Sequence, residues 1–590
     1  MDMLLRHLTI GELATLFERH RGRSPAPYLT DPERVARARR LARKNGQWQS
    51  LANDFDPTAP IAVLKRSAYR NFRRVGDRRV PEAAAAERRG QLGQAFLALW
   101  LDHPRADVDY LQDLMWAYCD DWTWVMAAHE GRGIDLGSVS IGVVLAEILH
   151  VVGDRLEEEV RARVTRAIER EIFEKYWDYR HPDEWKTVRM NWNHVCNGEI
   201  IRTALYQIED PHVLAHMTHV AIQNMSYALD GFAADGGCEE GPGYWAYGFG
   251  HYLAAANALL HKTDGELNLL AGERIAAISR YPLAAHIEGP LRSTFADASH
   301  GYVPAEYPMI INQVHPMPGL YGLCATHPDR TLRLGSPHEL ALYSGRKAPA
   351  KPELSDAHLP DLGQVKMRGK PGRRMLTVMA LAGNNGVPHN HNDIGSFLVH
   401  RGDRLWLDDP GGPIYTRKTF SARRYDIIFC NSLGHSVPLI NGVQQKAGAR
   451  YRGVLSVENL NGRGEKTAVI DMSRAYPRGT VRSLVRTLTL DGEANTLELE
   501  DVYEFSGTPT ALEEAFITLE PAKVAAGGKS VQIGPRGRGL LLSAPDTAGR
   551  FRVAILEEES KEGRTDKVIR RVTFTPRTLS RQMRLVFRIA

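Results

Sequence analysis

The feature that most constrains this chain is a change of period. Up to about residue 350, apolar residues recur at helical spacing, as in "VSIGVVLAEILHVVGDRLEEEVRARVTRAIEREIFEKYW" and "GFGHYLAAANALLHKT". After it come short β-rich runs separated by Gly, Pro, Asp and Asn, among them "RMLTVMALAG", "GSFLVHRGDRLWLDDPGG" and "TVRSLVRTLTLDGEANTLELEDVYEF". The first texture predicts helical hairpins curling into an arc or toroid, and the second predicts antiparallel sheet. At 590 residues the chain is too long for one core, so the two textures imply separate domains. The prolines and charges of "YSGRKAPAKPELSDAHLPDLG" suit a connector, which puts a helical domain at 1–345 and a β domain at 346–590.

Charge and cysteine usage narrow the function classes. A formal net charge of +5 tolerates an acidic ligand but is too small to imply nucleic acid. The five cysteines are scattered and never spaced Cys-x-x-Cys, so reduced thiols are expected rather than a disulfide framework or a thiolate zinc cluster. The start, "MDMLLRHLTIGELATLFERHRGR", is too charged for a signal peptide, and no later apolar run reads as a membrane span. These signs point to a cytoplasmic protein with no membrane partner and leave room for a homodimer.

Polar residues gather in three places. In "PHNHNDIGSF", read as the start of a strand, alternation would put His389, His391 and Asp393 on one face and Asn390 and Asn392 on the other. Such imidazoles can bind one metal or divide into a ligand and a catalyst, although hydrogen-bonded surface histidines fit the pattern too. "LWLDDPGG" supplies Asp408 and Asp409, one of which turn chemistry explains, and "RRYDIIFCNSLGHSVPLING" supplies His435. If these segments are neighbours, two histidines and a carboxylate converge as a zinc set.

The helical half carries "RMNWNHVCNGEI", where Asn191, Asn193, His194, Asn197 and Glu199 crowd around Trp192. Asparagine is a poor helix-interior residue, so helix capping explains only part of this density. Next comes "DGGCEEGPGYWAYGFGHY", with Tyr244 and Tyr247 three apart on one helix face and Tyr247 four from His251. Tyrosines at such spacing commonly pack; beside histidines a phenol becomes a proton carrier.

With these residues in view, "PHNHNDIGSF…LWLDDPGG…RRYDIIFCNSLGHS" resembles the β-domain signature of the heparinase II/III-like polysaccharide lyases. "NWNHVCNGEI" with "DGGCEEGPGYWAYG" is similar to their helical-domain signature, and "MWAYCDDWTWVMAAH" to their Trp- and acid-rich early segment. The resemblance implies an α+β multidomain fold: an N-terminal incomplete (α/α) toroid followed by a C-terminal antiparallel β-sandwich domain, with a substrate cleft between. It also implies β-elimination at uronic-acid units of an acidic polysaccharide or oligosaccharide, such as heparan sulfate, chondroitin, hyaluronan or alginate.

In that reaction the C5 proton leaves while neighbouring donors stabilise an enolate-like intermediate. The resemblance assigns Asn193, His194 and His389 to the carboxylate, and Tyr244 or Tyr247 to acid–base work, with Tyr247 preferred for its distance from His194. Trp192, Asn197, Glu240, Arg424 and Trp124 are carried over as substrate contacts. His391, Asp409 and His435 fall on the positions of a structural zinc ion, with no organic cofactor implied. Asn197 stands where some relatives have a glutamate, which makes transfer of glycosaminoglycan specificity doubtful. The competing reading is a toroid glycoside hydrolase or a non-catalytic carbohydrate-binding protein; a hydrolase would need two carboxylates, nominally from Glu239, Glu240, Asp120 and Asp121.

Overall fold

The computed structural model describes residues 8–178, 180, 181, 183–345, 347, 348 and 354–590. The first seven residues of the N-terminal stretch, and residues 346 and 349–353 of the expected connector, lie outside the described residues.

Contacts divide the chain into two compact units of interleaved segments. The first comprises 1–231, 245–276 and 303–350; the second comprises 232–244, 277–302 and 351–590. A single cut at 345/346 therefore leaves out two excursions, 232–244 and 277–302, that pack with the β-rich part. Both excursions carry residues of the candidate site.

The first unit is helical. Its main elements are α1 (Arg79–Trp100), α2 (Val108–Asp120), α3 (Leu136–Val152), α4 (Asn191–Gln207), α5 (Pro211–Leu229) and α6 (Gly250–Lys262). Local sequence sets several starts: Asp107 caps α2, Asp135 and Ser138 form a capping box on α3, and Asp210 with Pro211 opens α5. Helix α4 packs against α3, α5 and α6, and most of its circumference is buried, which is why it shows no clean amphipathic stripe. Polar residues on it must then find partners inside. Arg202 of α4 donates to Glu199 at 2.9 Å and to Glu147 of α3 at 3.1 Å, while His338 Nε2 meets the same Glu147 at 2.8 Å. The segment Leu136–Arg155 is long and apolar enough to cross a membrane by composition, yet 61% of that stretch is buried in this unit. Its apolarity is accounted for by the core.

The second unit is built on three antiparallel sheets. Strands β1 (Ala357–Leu359), β2 (Gln364–Arg368), β3 (Leu376–Leu381), β4 (Phe397–Arg401) and β5 (Arg404–Leu407) form a five-stranded meander in sequence order. An eight-stranded sheet follows from β6 (Val454–Glu458), β7 (Glu465–Asp471), β8 (Ser483–Asp491), β9 (Thr496–Glu504), β11 (Ala522–Val524), β12 (Ser530–Ile533), β13 (Leu540–Ser543) and β16 (Gln582–Ile589), ordered β6-β7-β8-β9-β16-β13-β12-β11. β10 (Leu512–Thr518), β14 (Gly549–Leu556) and β15 (Ile569–Pro576) make a smaller sheet with the short strand Leu439–Ile440. One apolar cluster joins the three, from Val378 and Phe397 through Leu488 and Leu499 to Phe516 and Phe574. The expected alternation is plain in β8, where Leu484, Leu488 and Leu490 point inward and Val485, Thr487 and Thr489 are half-buried.

One inward position of β8 is a charge. Arg486 is 1% exposed, paired with Asp501 at 2.6 Å, and donates to the carbonyls of Gly395 at 2.8 Å and Ser436 at 2.6 Å. Those carbonyls belong to the loops that carry His391 and His435, so the guanidinium fixes candidate site loops to the sheet. Removing one partner of a buried pair typically costs about 3–5 kcal/mol. Arg486→Met should show a loss of that size in denaturant unfolding of the β-rich unit.

Candidate active site

The segment that opened as a strand is a loop. β4 begins only at Phe397, and His389 has φ of 58°, a left-handed conformation costly for a side-chain-bearing residue. Alternation therefore does not arrange its polar groups. Both histidines nevertheless reach one carboxylate, Asp297, contributed by the 277–302 excursion.

Asp297 is buried and accepts from four side chains. Its Oδ2 meets His389 Nδ1 at 2.7 Å and the Tyr415 hydroxyl at 2.8 Å; its Oδ1 meets His391 Nε2 at 2.9 Å and Arg424 Nη2 at 2.9 Å. Burial alone would raise its pKa, but the hydrogen bonds from His389 and His391 and the charge of Arg424 outweigh burial and hold it well below the ordinary carboxylate range. Gly411, at φ of 68°, allows the turn after Asp409 to press on this loop, because a Cβ there would lie 2.4 Å from the Ala298 carbonyl.

Tyr244 completes the cluster. Its hydroxyl shares a short hydrogen bond with that of Tyr415, and its ring stacks on His389 with centroids 4.2 Å apart. Tyr415 also reaches His389 Nδ1 at 3.1 Å, and the Arg564 guanidinium lies 4.3 Å from the Tyr415 ring centre. Burial pushes the Tyr244 phenol up to about 12, opposed by the Tyr415 hydrogen bond and the charge of Arg564 and reinforced by Asp297. Glu240 lies 3.7 Å from His389 Nε2. The phenol, the imidazole and their supporting carboxylate thus form one connected group within the second unit.

The two tyrosines of "YWAY" do not share a face. Residues Trp245–Phe249 form a π-helical turn, which breaks the i, i+3 relation. Tyr247 is 37% exposed and sets its ring edge-on to His251 in the first unit. Only Tyr244 joins the His389 cluster.

His391, Asp393 and His435 bring one potential ligand atom each within 4.8 Å of one another. His391 Nδ1 and Asp393 Oδ2 are buried without a hydrogen-bond partner, which is the condition expected of atoms that hold a cation. His391 and Asp393 therefore offer open ligand atoms to a zinc-type ion, with Asp393 in the place expected of Asp409, whereas His435 joins them only by giving up the Phe429 carbonyl that its Nε2 meets at 3.1 Å. Asp409 instead holds His435 Nδ1 at 2.7 Å and, through its other oxygen, the Gly411 amide. Burial pushes Asp393 up to about 7 with the charge of Asp409 adding to it, and brings His391 down to about 4. His435 rises to about 8 because Asp409 overcomes its burial.

The helical knot has a folding explanation that the sequence did not supply. Asn193 is buried and donates to the carbonyls of Lys186 at 2.6 Å and Asn224 at 2.9 Å. Asn197 donates back to the Asn193 carbonyl at 2.9 Å, and its Oδ1 accepts from Asn224 Nδ2 at 3.3 Å. His194 is 1% exposed, with Nε2 at 3.2 Å from the Met225 carbonyl, and burial lowers its pKa to about 3. The described hydrogen bonds of His194, Asn193 and Asn197 are thus all made within the helical packing. None of them is a helix cap: the N-cap of α4 is Met190, which makes no side-chain cap hydrogen bond.

The remaining candidates divide similarly. Trp192 is half-buried between His129, at 4.6 Å between rings, and Arg132, at 5.3 Å from its ring centre. Trp124 is interior, donates to the Tyr118 carbonyl at 2.8 Å, and lines a cavity of about 250 Å³ with Tyr69 and the Arg88–Asp121 pair. Arg424 is committed to Asp297 and the Asn390 carbonyl rather than held out for a ligand. Asp297, Tyr415 and Arg564 were missed. They lie outside the motifs singled out in the sequence, and only the fold brings them together.

No family model and no curated protein matches the sequence. Solved structures do. A heparinase III structure aligns over 95% of this chain and 92% of its own with a TM-score of 0.62 at 10% identity. A heparan sulfate lyase from Pedobacter heparinus gives 0.59 at 12% identity over 98% and 88%, and a chondroitin AC lyase from Streptomyces coelicolor A3 gives 0.51 at 11% over 93% and 82%. The chain has the fold of these toroid polysaccharide lyases, the family that its motifs resemble.

An Asn at 297 keeps the size but loses the charge and one acceptor oxygen, leaving buried donors unmet. Asp297→Asn should lower stability by about 3 kcal/mol in chemical denaturation, as removal of one member of a buried charged group does, with helix and sheet content unchanged by circular dichroism.

Proposed function

We propose that this chain is a polysaccharide lyase acting by β-elimination on uronic-acid units of an acidic polysaccharide. The observation that carries the reading is Tyr244 stacked on His389, both tied through Tyr415 to the buried Asp297 carboxylate. Names of the solved structures support it, since heparinase, heparan sulfate lyase and chondroitin lyase each act on a uronate-bearing chain by name.

In this mechanism the C5 hydrogen of the uronate leaves as a proton, its bonding electrons form the C4–C5 double bond, and the C4–oxygen bond breaks. Tyr244 is the group that handles both protons. With a pKa pushed up to about 12, only about 10⁻⁵ of it is phenolate at neutral pH, so at rest it is an acid for the leaving oxygen. To act as base it must first give up its own proton to solvent; the phenolate then takes the C5 proton and passes it to the leaving C4 oxygen, with the Tyr415 hydroxyl as its hydrogen-bond partner. His389 Nε2, the nitrogen not held by Asp297, takes the uronate carboxylate and offsets charge on the enolate-like intermediate. The hydrolase alternative fares worse. Two of its four nominal carboxylates, Asp120 and Asp121, are paired with Arg163 and Arg88.

A zinc ion held by His391, Asp393 and His435, with Asp409 behind His435, would supply structural bracing to the wall that presents His389. Protein purified without added metal should carry about one zinc per chain. Loss of the metal in His391→Ala or His435→Ala, with a lower melting temperature, is the expected outcome; metal-free protein with unchanged melting contradicts it.

Incubation with heparan sulfate, chondroitin, hyaluronan and alginate should give rising near-ultraviolet absorbance from unsaturated ends on at least one of them. Tyr244→Phe should reduce that rate by at least about 10²-fold, and His389→Ala by a similar factor, whereas Tyr247→Phe should stay close to wild type. Full activity in Tyr244→Phe would overturn the assignment.

A further inference from the structure

The β-rich unit carries a second charged concavity, lined by none of the residues around Asp297. Arg373 and Arg374, on the turn between β2 and β3, Arg401 at the end of β4, and Arg538 on the turn between β12 and β13 open on one cleft of about 740 Å³. That volume lies within the range of small-ligand sites. Asp403 is the one acidic side chain in the lining, and among the described residues the arginine it pairs with is Arg538 at 3.8 Å. Among the described residues, Arg373, Arg374 and Arg401 have no carboxylate at ion-pair distance, although neighbouring Arg404 and Lys370 are matched by Glu520 and Glu493.

One of the four, Arg401, is also anchored, while Arg373, Arg374 and Arg538 are exposed to solvent. Gly534, at φ of 72°, lets its turn close on the Trp406 ring, since a Cβ there would lie 2.0 Å from the ring. Arg401 donates to the Gly539 carbonyl at 3.2 Å, and Trp406 donates to the Arg401 carbonyl at 3.1 Å. Arg401 Nε is buried without a partner. Like charges gathered on one cleft repel one another, and an anion relieves the repulsion.

We propose that this cleft is an accessory binding site for a segment of acidic glycan, whose carboxylate or sulfate groups pair with Arg373, Arg374, Arg401 and Arg538. Guanidinium forks suit such planar or tetrahedral oxyanions. A single-stranded nucleic acid would want exposed aromatic faces for its bases, and the aromatic ring of this cleft, Trp406, is buried at 3% exposure. The choice of a glycan rests on the lyase reading above; the positive cleft itself does not. The site would hold a long chain on the enzyme between cleavages.

The test uses the full chain and two probes, heparin and alginate, with a short uronate oligosaccharide as a turnover control. The variant Arg373→Ala/Arg374→Ala/Arg538→Ala should bind the chains about tenfold or more weakly at about 0.15 M salt and elute from immobilised heparin at lower salt. Turnover of the short oligosaccharide should stay within about twofold, because none of these residues touches the Tyr244 cluster. Arg40→Ala/Arg166→Ala/Arg333→Ala, which removes equal charge elsewhere, should bind like wild type. Equal weakening in both variants, or unchanged binding in the first, overturns the proposal, as does tighter binding of single-stranded DNA than of either glycan. A chain without lyase activity would defeat the functional reading alone, since the retention measurement does not depend on turnover.

Discussion

The arrangement of the candidate site depends on one buried carboxylate. Asp297 gathers two histidines, a tyrosine and an arginine from segments more than ninety residues away in the chain. A buried anion is tolerable only with such company, and each donor is in turn oriented by it. His389 consequently presents its outer nitrogen in a fixed direction and Tyr415 delivers its hydroxyl to Tyr244, while Arg424 is used up in neutralisation. Arg486 performs the corresponding task behind the site, where it ties the Gly395 and Ser436 carbonyls to the sheet.

Much of the fold was legible in the sequence because period is a local property. Alternation in "SLVRTLTL" became β8, and the helical spacing of "VSIGVVLAEILHVV" became α3. The interleaving of the units was not legible, since 232–244 and 277–302 carry no β texture strong enough to announce the company they keep. The expected strand around His389 failed for a physical reason: a left-handed residue and a run of polar groups make a loop whose shape is set by Asp297.

The site divides along the same line. His389, His391, His435 and Tyr244 were readable as chemistry-bearing residues in dense motifs, and they do meet partners. Asn193, Asn197 and His194 looked equally rich, but their density answers the needs of a helix buried on most sides, where amides satisfy backbone carbonyls. A motif reports that polar groups are crowded; it does not say whether they face inward. Asp297, Tyr415 and Arg564 show the converse, isolated in sequence and central in space.

The account turns on elimination rather than hydrolysis, and the fate of water separates them. Products formed in water enriched in oxygen-18 should be analysed by mass spectrometry on whichever uronate polymer is degraded. Elimination breaks the chain without adding water, so one product carries a new unsaturated end and neither gains the heavy isotope during cleavage. Incorporation of one heavy oxygen at each cut, with saturated ends on both products, would contradict the account.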